Sequence, residues 1–269
     1  MKALILSIRS EFYKSRKTAG FWSVVILPLF LCLVLFINFL SNNNAVGTPS
    51  MLLWIQFAGT IFGAMGTLLL PMLVVFTAYS VNNIEHKSDT WKTLFSLPIS
   101  KFSIYAAKYI YAMFIILICL MLFVPFTVGF GNLLGLLKPQ LNFGDYSMIN
   151  ILLKMYFKLF LSSLGILSIQ FILSLLFRDF LKPMGIGFVA TMAGVILASD
   201  HLVYAYLFPY AQQMLAASEM PQPHGQHLAG GSLPAITIEL FTKEIYASLI
   251  TASVIFFAGY FIVLKKSVK

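Results

Sequence analysis

Residues 102–130 read FSIYAAKYIYAMFIILICLMLFVPFTVGF and decide the class of fold. No charged residue occurs from Tyr109 to Phe130. An α-helix needs about 20 consecutive apolar residues to cross the hydrocarbon core of a bilayer. The length and the absence of charge therefore predict that this segment is a membrane-spanning helix, with Pro125 near its end.

Five further apolar runs lie on either side of this segment: Phe21–Leu40, Leu52–Val81, Tyr156–Phe177, Pro183–Ser199 and Ile245–Leu264. Hydrophobic residues make up 59% of the chain and charged residues only 10%, whereas an average soluble domain has about 25% charged residues. A core cannot enclose this much apolar surface, so the remainder must face lipid. We predict an all-α polytopic membrane protein with six transmembrane helices, organised as a single domain over residues 1–269.

The distribution of lysine and arginine predicts the orientation of the six spans. All but four of these 18 residues lie in the N-terminal arm, around the connection between the second and third spans, after the fourth span, or in the C-terminal tail. The four on the opposite side are Lys138, Lys154, Lys158 and Lys243. Because basic connections stay in the cytoplasm, both termini are predicted to be cytoplasmic. Anionic headgroups of membrane lipids then account for the net charge of +9 without a nucleic acid partner.

Residues 1–18, MKALILSIRSEFYKSRKT, have the pattern of an amphipathic helix. Leu4, Ile8 and Phe12 recur at four-residue spacing, which places them on one stripe with Ile5 beside them. The basic residues lie largely elsewhere. This pattern predicts an interfacial helix on the cytoplasmic surface before the first span. The alternative is a plain basic flank that only sets the topology.

The connection after the second span predicts a short cytoplasmic helix, here named the coupling segment (residues 88–97). Ser88 or Asp89 is suited to cap its N-terminus, and Pro98 ends it at or before Leu97. Three apolar side chains share one face at helical spacing: Trp91, Leu94 and Phe95. A helix of about two turns is marginal alone, so this face needs a partner protein or lipid to cover it. The alternative role of Trp91 is a headgroup anchor.

The same connection carries a family resemblance. Its sequence E-H-K-S-D-T-W-K-T-L-F-S-L-P-I-S-K resembles the coupling-helix region of ABC type-2 exporter permeases. The residues that match the family pattern are Glu85, Thr90, Leu94, Leu97, Pro98, Ser100, Lys101 and Lys108. Asp89 stands where the family usually has glycine. The resemblance implies that contact with an ATPase involves Glu85, Asp89, Thr90, Trp91, Leu94, Phe95, Leu97 and Pro98.

The resemblance also implies the partners and the location. A permease of this kind pairs with a separate ATP-binding-cassette ATPase and with a second permease, in the bacterial cytoplasmic membrane. The chain has no G-x-x-x-x-G-K-[ST] motif to hold nucleotide phosphates, so we expect no cofactor in this chain, and ATP and Mg in the partner. The W-K-x-L-x-x-L-P-I-S form resembles in particular the permeases of lantibiotic and bacitracin immunity exporters, which implies export of an antimicrobial peptide.

Residues 200–244 form the largest connection on the predicted external side. The apolar stretch from Leu202 to Tyr210 is too short to span, which suits a re-entrant or interfacial helix, and the family resemblance implies the same. A candidate substrate path consists of three aromatic residues and two lysines of the same leaflet: Tyr204, Tyr206, Phe208, Lys154 and Lys158. The alternative is structural, with the aromatic residues forming a headgroup belt and the lysines reaching to the headgroups.

Other polar and small residues have plainer interpretations. Gln170 is predicted to make an interhelical hydrogen bond at mid-bilayer. Gly59, Gly63 and Gly66 permit close helix contact within the second span. His224 and His227 are close enough in sequence to bind a metal, but a structural or catalytic site needs three or four ligands, and a solvated loop is favoured.

Two other classes of function compete with the exporter. An intramembrane enzyme would need a motif such as H-E-x-x-H or G-x-S-x-G, or a buried acidic pair, and none is evident in the sequence. An ion-coupled carrier would need carboxylates at mid-membrane depth, and the predicted spans have none at their centres.

Overall fold

The computed structural model describes residues 2–41, 49–88, 90, 93, 96, 98–141, 143, 146–200, 202–219 and 238–265. All regular secondary structure in this part of the chain is helical. The α-helices are α1 (Lys2–Ser15), α2 (Ala19–Ser41), α3 (Ser50–Ala64), α4 (Leu70–Ser88), α5 (Lys101–Leu137), α6 (Ile149–Leu176), α7 (Leu181–Ser199), α8 (Gln212–Ser218) and α9 (Lys243–Lys265). A π-helix joins α3 to α4 at Met65–Leu69, and 3₁₀ turns lie at Pro139–Leu141 and Ala205–Leu207.

Six of the described helical segments are long and apolar enough to cross a membrane. They are α2, the continuous α3–π–α4 helix, α5, α6, α7 and α9, and each contains one of the six apolar runs found in the sequence. The prediction of an all-α protein with six spans is therefore confirmed. The helix α5 begins at Lys101 because the Ser100 hydroxyl accepts a hydrogen bond from the Ser103 amide at 3.2 Å and caps its N-terminus.

The second span changes from α to π geometry where proline would disturb it. Pro71 has no N–H, and its ring would clash with the carbonyl of Thr67 in an unbroken α-helix. A π-turn at this point widens the helix and removes the conflict. The Thr67 hydroxyl donates to the carbonyl of Gly63 at 2.9 Å, which satisfies one of the carbonyls that the wider turn disturbs.

The helix α6 lies at the centre of the bundle and packs on α4, α5, α8 and α9. Its Tyr156 is fully buried and stacks on Phe123 of α5, with ring centroids 5.3 Å apart, and it also contacts Phe62 of α3. By contrast, α2 and α9 present large apolar side chains such as Phe30 and Phe261 outward. Lipid covers such side chains in a membrane, so the bundle is held by close packing and interhelical hydrogen bonds rather than by exclusion of water.

The chain between α7 and α9 packs into the bundle as far as Glu219. The apolar stretch from Leu202 to Tyr210 forms only a 3₁₀ turn, because Pro209 disfavours helical geometry at the residue before it and Phe208 is extended. The regular helix is α8, which follows this stretch rather than lying within it. The Gln213 side chain donates to the Ser162 carbonyl of α6 at 2.7 Å. Whether this segment re-enters the bilayer stays a prediction.

Candidate functional site: two buried ion clusters

Four charged side chains from three helices meet next to the coupling segment and are here named the α1 cluster: Glu11, Lys14, Glu85 and Lys108. The Lys108 ammonium lies 2.5 Å from the Glu85 carboxylate and 2.9 Å from the Glu11 carboxylate. It also donates to the Val81 carbonyl at 3.0 Å. Lys14 lies 3.1 Å from Glu85 and 3.0 Å from Glu11. Two lysines and two glutamates make the group neutral.

Helical spacing brings these groups together. Glu11 and Lys14 are three residues apart and therefore share one face of α1. Glu85 lies in the last turn of α4, and Lys108 lies two turns into α5. Lys108 and Glu85 are each only 1% exposed, so neither charge could persist at this depth without its partner.

Lys14 is the most accessible member of the α1 cluster. Burial by itself lowers the pKa of Lys14, but the carboxylates of Glu11 and Glu85 outweigh this effect and raise the pKa above its ordinary value of 10.5. Because a raised pKa stabilises the folded state below the unfolded pKa, the contribution of Lys14 is complete at neutral pH. It is lost only as the pH rises above 10.5 and through the raised pKa.

A small cavity of about 10 Å³ lies near the α1 cluster, at the junction of α1, α2, α4 and α5. Hydroxyl groups line much of it, and the Ser15 hydroxyl is bonded to the Tyr111 hydroxyl at its wall. The Thr77 hydroxyl is buried there and has no hydrogen-bond partner among the described residues.

The structure shows how α1 packs, and it corrects one expectation about these residues. The buried face of α1 carries Glu11 and Ser15, whereas Ile5 is 65% exposed and Phe12 is also exposed. Leu4 and Ile8 are half-buried, so much of the predicted apolar stripe is left uncovered by the bundle, and the interfacial position of α1 stays a prediction. A buried acidic pair also exists, because Glu11 and Glu85 share the two lysines. The sequence signal for it was the only acidic residue of the basic N-terminal arm, together with a lysine inside the third span.

The ends of the coupling segment are described only in part. Ser88 ends α4, and its hydroxyl donates to the Ile84 carbonyl at 2.7 Å. Trp91 and Lys92 lie outside the described residues, so the predicted N-terminal cap of the coupling segment stays a prediction. The Thr90 amide donates to the Glu85 carbonyl at 3.2 Å, and Thr93, Ser96 and Pro98 are exposed. The remaining predicted contact residues lie outside the described residues: Asp89, Trp91, Leu94, Phe95 and Leu97.

A second buried group, here named the α6 cluster, lies near the opposite end of the bundle: Lys158, Glu219 and Glu244. Lys158 is fully buried, forms an ion pair with Glu219 and lies 3.3 Å from Glu244. Its ammonium also donates to the Glu239 carbonyl at 2.9 Å. The Glu244 carboxylate accepts a further hydrogen bond from the Thr242 hydroxyl. One lysine thus joins the end of α8, the chain before α9 and the start of α9.

Lys158 does not reach to the headgroups, so the interpretation of this lysine as a headgroup contact is wrong. The physical reason is that three oxygen groups surround it inside the bundle. Lys154 is exposed, as a headgroup contact requires. The acidic partners were missed because they are distant in sequence, and no local spacing links Lys158 to Glu219 or Glu244.

The aromatic residues of the candidate substrate path differ in exposure. Tyr204 is 72% exposed, and Tyr206 is half-buried. Phe208 packs on the core and contacts the ring of Tyr210 at 5.8 Å. The structure therefore places Tyr204 where a ligand could touch it and leaves Phe208, like Tyr206, half-buried.

The predictions for the remaining polar and small residues agree with the structure only in part. Gln170 of α6 makes a hydrogen bond to a neighbouring segment: its side-chain amide donates to the hydroxyl of Tyr210, in the chain before α8, at 2.6 Å. Gly59 and Gly63 could permit close helix contact but make none in the part of the chain that the structure describes, since a Cβ at either would meet no neighbour within 4 Å there. Gly66 does make such a contact, because a Cβ there would collide with Ala217 of α8.

Two residue types with metal-binding side chains remain. Cys32 and Cys119 are free and buried. The possible metal ligands His224 and His227 lie outside the described residues.

Comparison with known proteins identifies the family. Residues 7–194 match the model of the family described as ABC-2 family transporter protein, which covers well over half of the chain. The chain belongs to the ABC-2 transporter family. It is accordingly a multi-pass membrane subunit of an ABC transporter, and membership implies association with an ABC ATPase subunit and dimerisation. No curated protein and no solved structure matches the chain.

The family match covers one ion cluster of this ABC-2 transporter subunit completely and the other only in part. It contains all four residues of the α1 cluster and the whole coupling segment, and it ends within α7. Tyr204, Tyr206 and Phe208 lie beyond it, as do Glu219 and Glu244 of the α6 cluster. The family match therefore supports a role for the coupling end of the molecule and is silent about the opposite end, where we placed the candidate substrate path.

Proposed function

We propose that this chain is the permease subunit of an exporter that a separate ABC ATPase drives, and that it removes an amphipathic substrate from the membrane. The observation that carries the proposal is the α1 cluster, taken together with membership of the ABC-2 transporter family. Glu85 lies three residues before the coupling segment, and Lys108 lies ten residues after Pro98. The helices on both sides of the segment are therefore joined to each other by one buried ion pair.

This arrangement supports a simple mechanism of coupling. ATP and Mg act in the partner, where nucleotide binding and hydrolysis displace the coupling segment. Because Glu85 and Lys108 are in direct contact, a displacement of the segment moves α4 and α5 together rather than separately. Glu11 and Lys14 extend the same movement to α1, and the central helix α6 packs on both α4 and α5. The ion cluster thus transmits movement from the segment to the spans.

The charge of the two clusters favours this function over the two alternatives. The carboxylates of the α1 cluster are neutralised by two lysines, and the buried pair has no free acid for proton transfer or ion coupling. In the α6 cluster one lysine, Lys158, contacts both carboxylates, so neither lacks an ion pair although the cluster has a net charge of −1. A carrier would need acidic groups free to bind a coupling ion, and an enzyme would need an acid or base able to reach a substrate.

The proposed orientation places the α1 cluster and both termini in the cytoplasm, and the α6 cluster near the external side. Cysteines introduced at Asn43 and Gly230, in a background lacking Cys32 and Cys119, should react with an impermeant thiol reagent in intact cells. A cysteine at Ser88 should not react. Labelling at Ser88 would contradict the orientation.

Membrane-active peptides are the proposed substrate class. Two observations support this: the coupling-segment sequence W-K-x-L-x-x-L-P-I-S, and the exposed Tyr204 beside half-buried Tyr206 on the proposed external side, where amphipathic peptides partition. The test is to challenge cells with a panel of lantibiotic-like peptides, with this permease and its ATPase present, absent, or carrying an inactive ATPase. Resistance should require both active subunits. Equal sensitivity of all three strains to every peptide would exclude the peptide substrate.

A further inference from the structure

The face of α1 opposite the α1 cluster combines arginine with apolar side chains. Arg9 is exposed on this face, and Arg16, which directly follows the end of α1 at Ser15, is exposed seven residues further along the chain. Ile5, Leu6 and Tyr13 flank them and are 65%, 62% and 55% exposed. Such a surface is unfavourable in water and suits the boundary between headgroups and acyl chains, where apolar bodies enter lipid and charges stay at headgroup level.

The two arginines converge on one aromatic ring. The guanidinium carbons of Arg9 and Arg16 lie 5.7 and 5.5 Å from the ring centroid of Tyr13, and Arg16 lies 5.0 Å from that of Phe12. Arg9 also donates to the Tyr13 hydroxyl at 3.5 Å. Stacking on rings restricts both guanidinium groups, which lowers the entropy lost when they bind an anion.

Within the described residues neither arginine has a carboxylate partner. The only acidic residue of α1 is Glu11, which points to the opposite face and is held by Lys108 and Lys14. Two like charges about 10 Å apart along the chain (seven residues at 1.5 Å rise) repel each other only weakly in water, and both are available to bind an anion from outside the chain. On an apolar face beside the first span, the available anion is the phosphate of a lipid.

We propose that Arg9, Arg16 and the ring of Tyr13 form a binding site for the headgroups of anionic membrane lipids. The site holds α1 flat on the bilayer, and Glu11 then stays in contact with Lys108. The second part of the proposal, which rests on the proposed function, is that anionic lipid raises ATP-driven activity by keeping the α1 cluster assembled. Guanidinium groups bind phosphate oxygens in bidentate geometry, so lysine should replace arginine only in part.

The test uses the purified permease–ATPase complex in vesicles of phosphatidylcholine alone or of an equimolar mixture with phosphatidylglycerol. The first readout is the preference of the permease for phosphatidylglycerol over phosphatidylcholine, measured with a fluorescent form of each lipid. Each basic residue near an anionic surface contributes about 1 kcal/mol, so the double variant Arg9→Gln, Arg16→Gln should reduce this preference about 30-fold. The variant Arg9→Lys, Arg16→Lys should lie between it and the wild type.

The control removes two exposed lysines on the same side, Lys182→Gln with Lys265→Gln, and measures the loss of preference that follows from lowering the local charge alone. The double arginine variant should lose clearly more of the preference, and an equal loss in both would overturn the proposal. An unchanged preference in the double arginine variant would overturn the proposal. Loss of the ATPase from that variant with an unchanged lipid preference would also overturn it, because the face would then bind the protein partner.

The second readout is ATP hydrolysis by the complex, which phosphatidylglycerol should stimulate in the wild type and not in the double arginine variant. Equal stimulation of both would overturn the link to coupling. A complex that shows the expected lipid preference but no ATP-driven activity in any lipid would leave the headgroup site standing and contradict the proposed function instead.

Discussion

Replacing Lys108 by methionine tests whether the α1 cluster holds three helices together. The methionine side chain has a similar length and fills a similar space, but it carries no charge. The variant loses two ion pairs and the bond to the Val81 carbonyl. The cluster changes from neutral to a net charge of −1, with Glu11 and Glu85 still buried beside each other.

The expected cost follows from the burial of the remaining charges. Removing one partner of a buried ion pair typically costs about 3–5 kcal/mol. Lys14 still contacts both carboxylates and is one-third exposed, so we expect the lower end of this range, about 3 kcal/mol. The double variant Lys108→Met, Glu85→Gln is neutral again, since Lys14 then pairs with Glu11. It should recover about half of the lost free energy.

The assay is equilibrium unfolding in mixed micelles with increasing dodecyl sulfate, followed by circular dichroism. The matched control is Lys87→Met, which removes an exposed lysine two residues after Glu85 and should change the free energy of unfolding by less than about 0.5 kcal/mol. If Lys108→Met lowered the free energy of unfolding no more than Lys87→Met, the reasoning would be refuted. So would a neutral double variant that is no more stable than Lys108→Met alone.

Three further predictions concern the opposite end of the bundle and the second span. Lys158→Met should lower the free energy of unfolding by about 3 kcal/mol in the same titration, whereas Lys154→Met should not, and equal effects would contradict the α6 cluster. Gly66→Leu should separate α8 from the π-turn and lower the free energy of unfolding by about 1–3 kcal/mol. Gly59→Ala, with open space around it, should leave that free energy unchanged or raise it slightly. The reverse order would show that the second span packs differently. Changing Tyr204, Tyr206 and Phe208 together to alanine should abolish peptide resistance in cells while the protein still inserts and keeps its ATPase. Lys154→Gln should preserve resistance. Full resistance in the triple variant would exclude these aromatic residues from the substrate path.

The six spans could be predicted from the sequence because the bilayer imposes a length and a polarity on each helix separately. The α1 cluster could not, because Lys108 and Glu11 are 97 residues apart and their contact depends on how α1 lies against α4 and α5. Lys158 shows the same limit, since its partners Glu219 and Glu244 are distant in sequence and other helices lie between them. Gly59 and Gly66 have similar sequence surroundings, yet only Gly66 faces α8.

Co-purification with the ATPase tests the central claim of a permease subunit most directly. Leu94 lies on the predicted contact face of the coupling segment, and Leu94→Asp would place a charge in an apolar interface, which costs several kcal/mol. The matched control is Thr93→Asp, whose position is exposed and lies on the opposite face by helical spacing. Tagged wild-type protein and Thr93→Asp should retain an ATP-binding-cassette ATPase, and Leu94→Asp should insert normally but lose it. Equal recovery of the ATPase with Leu94→Asp, or no ATPase with the wild type, would contradict the account.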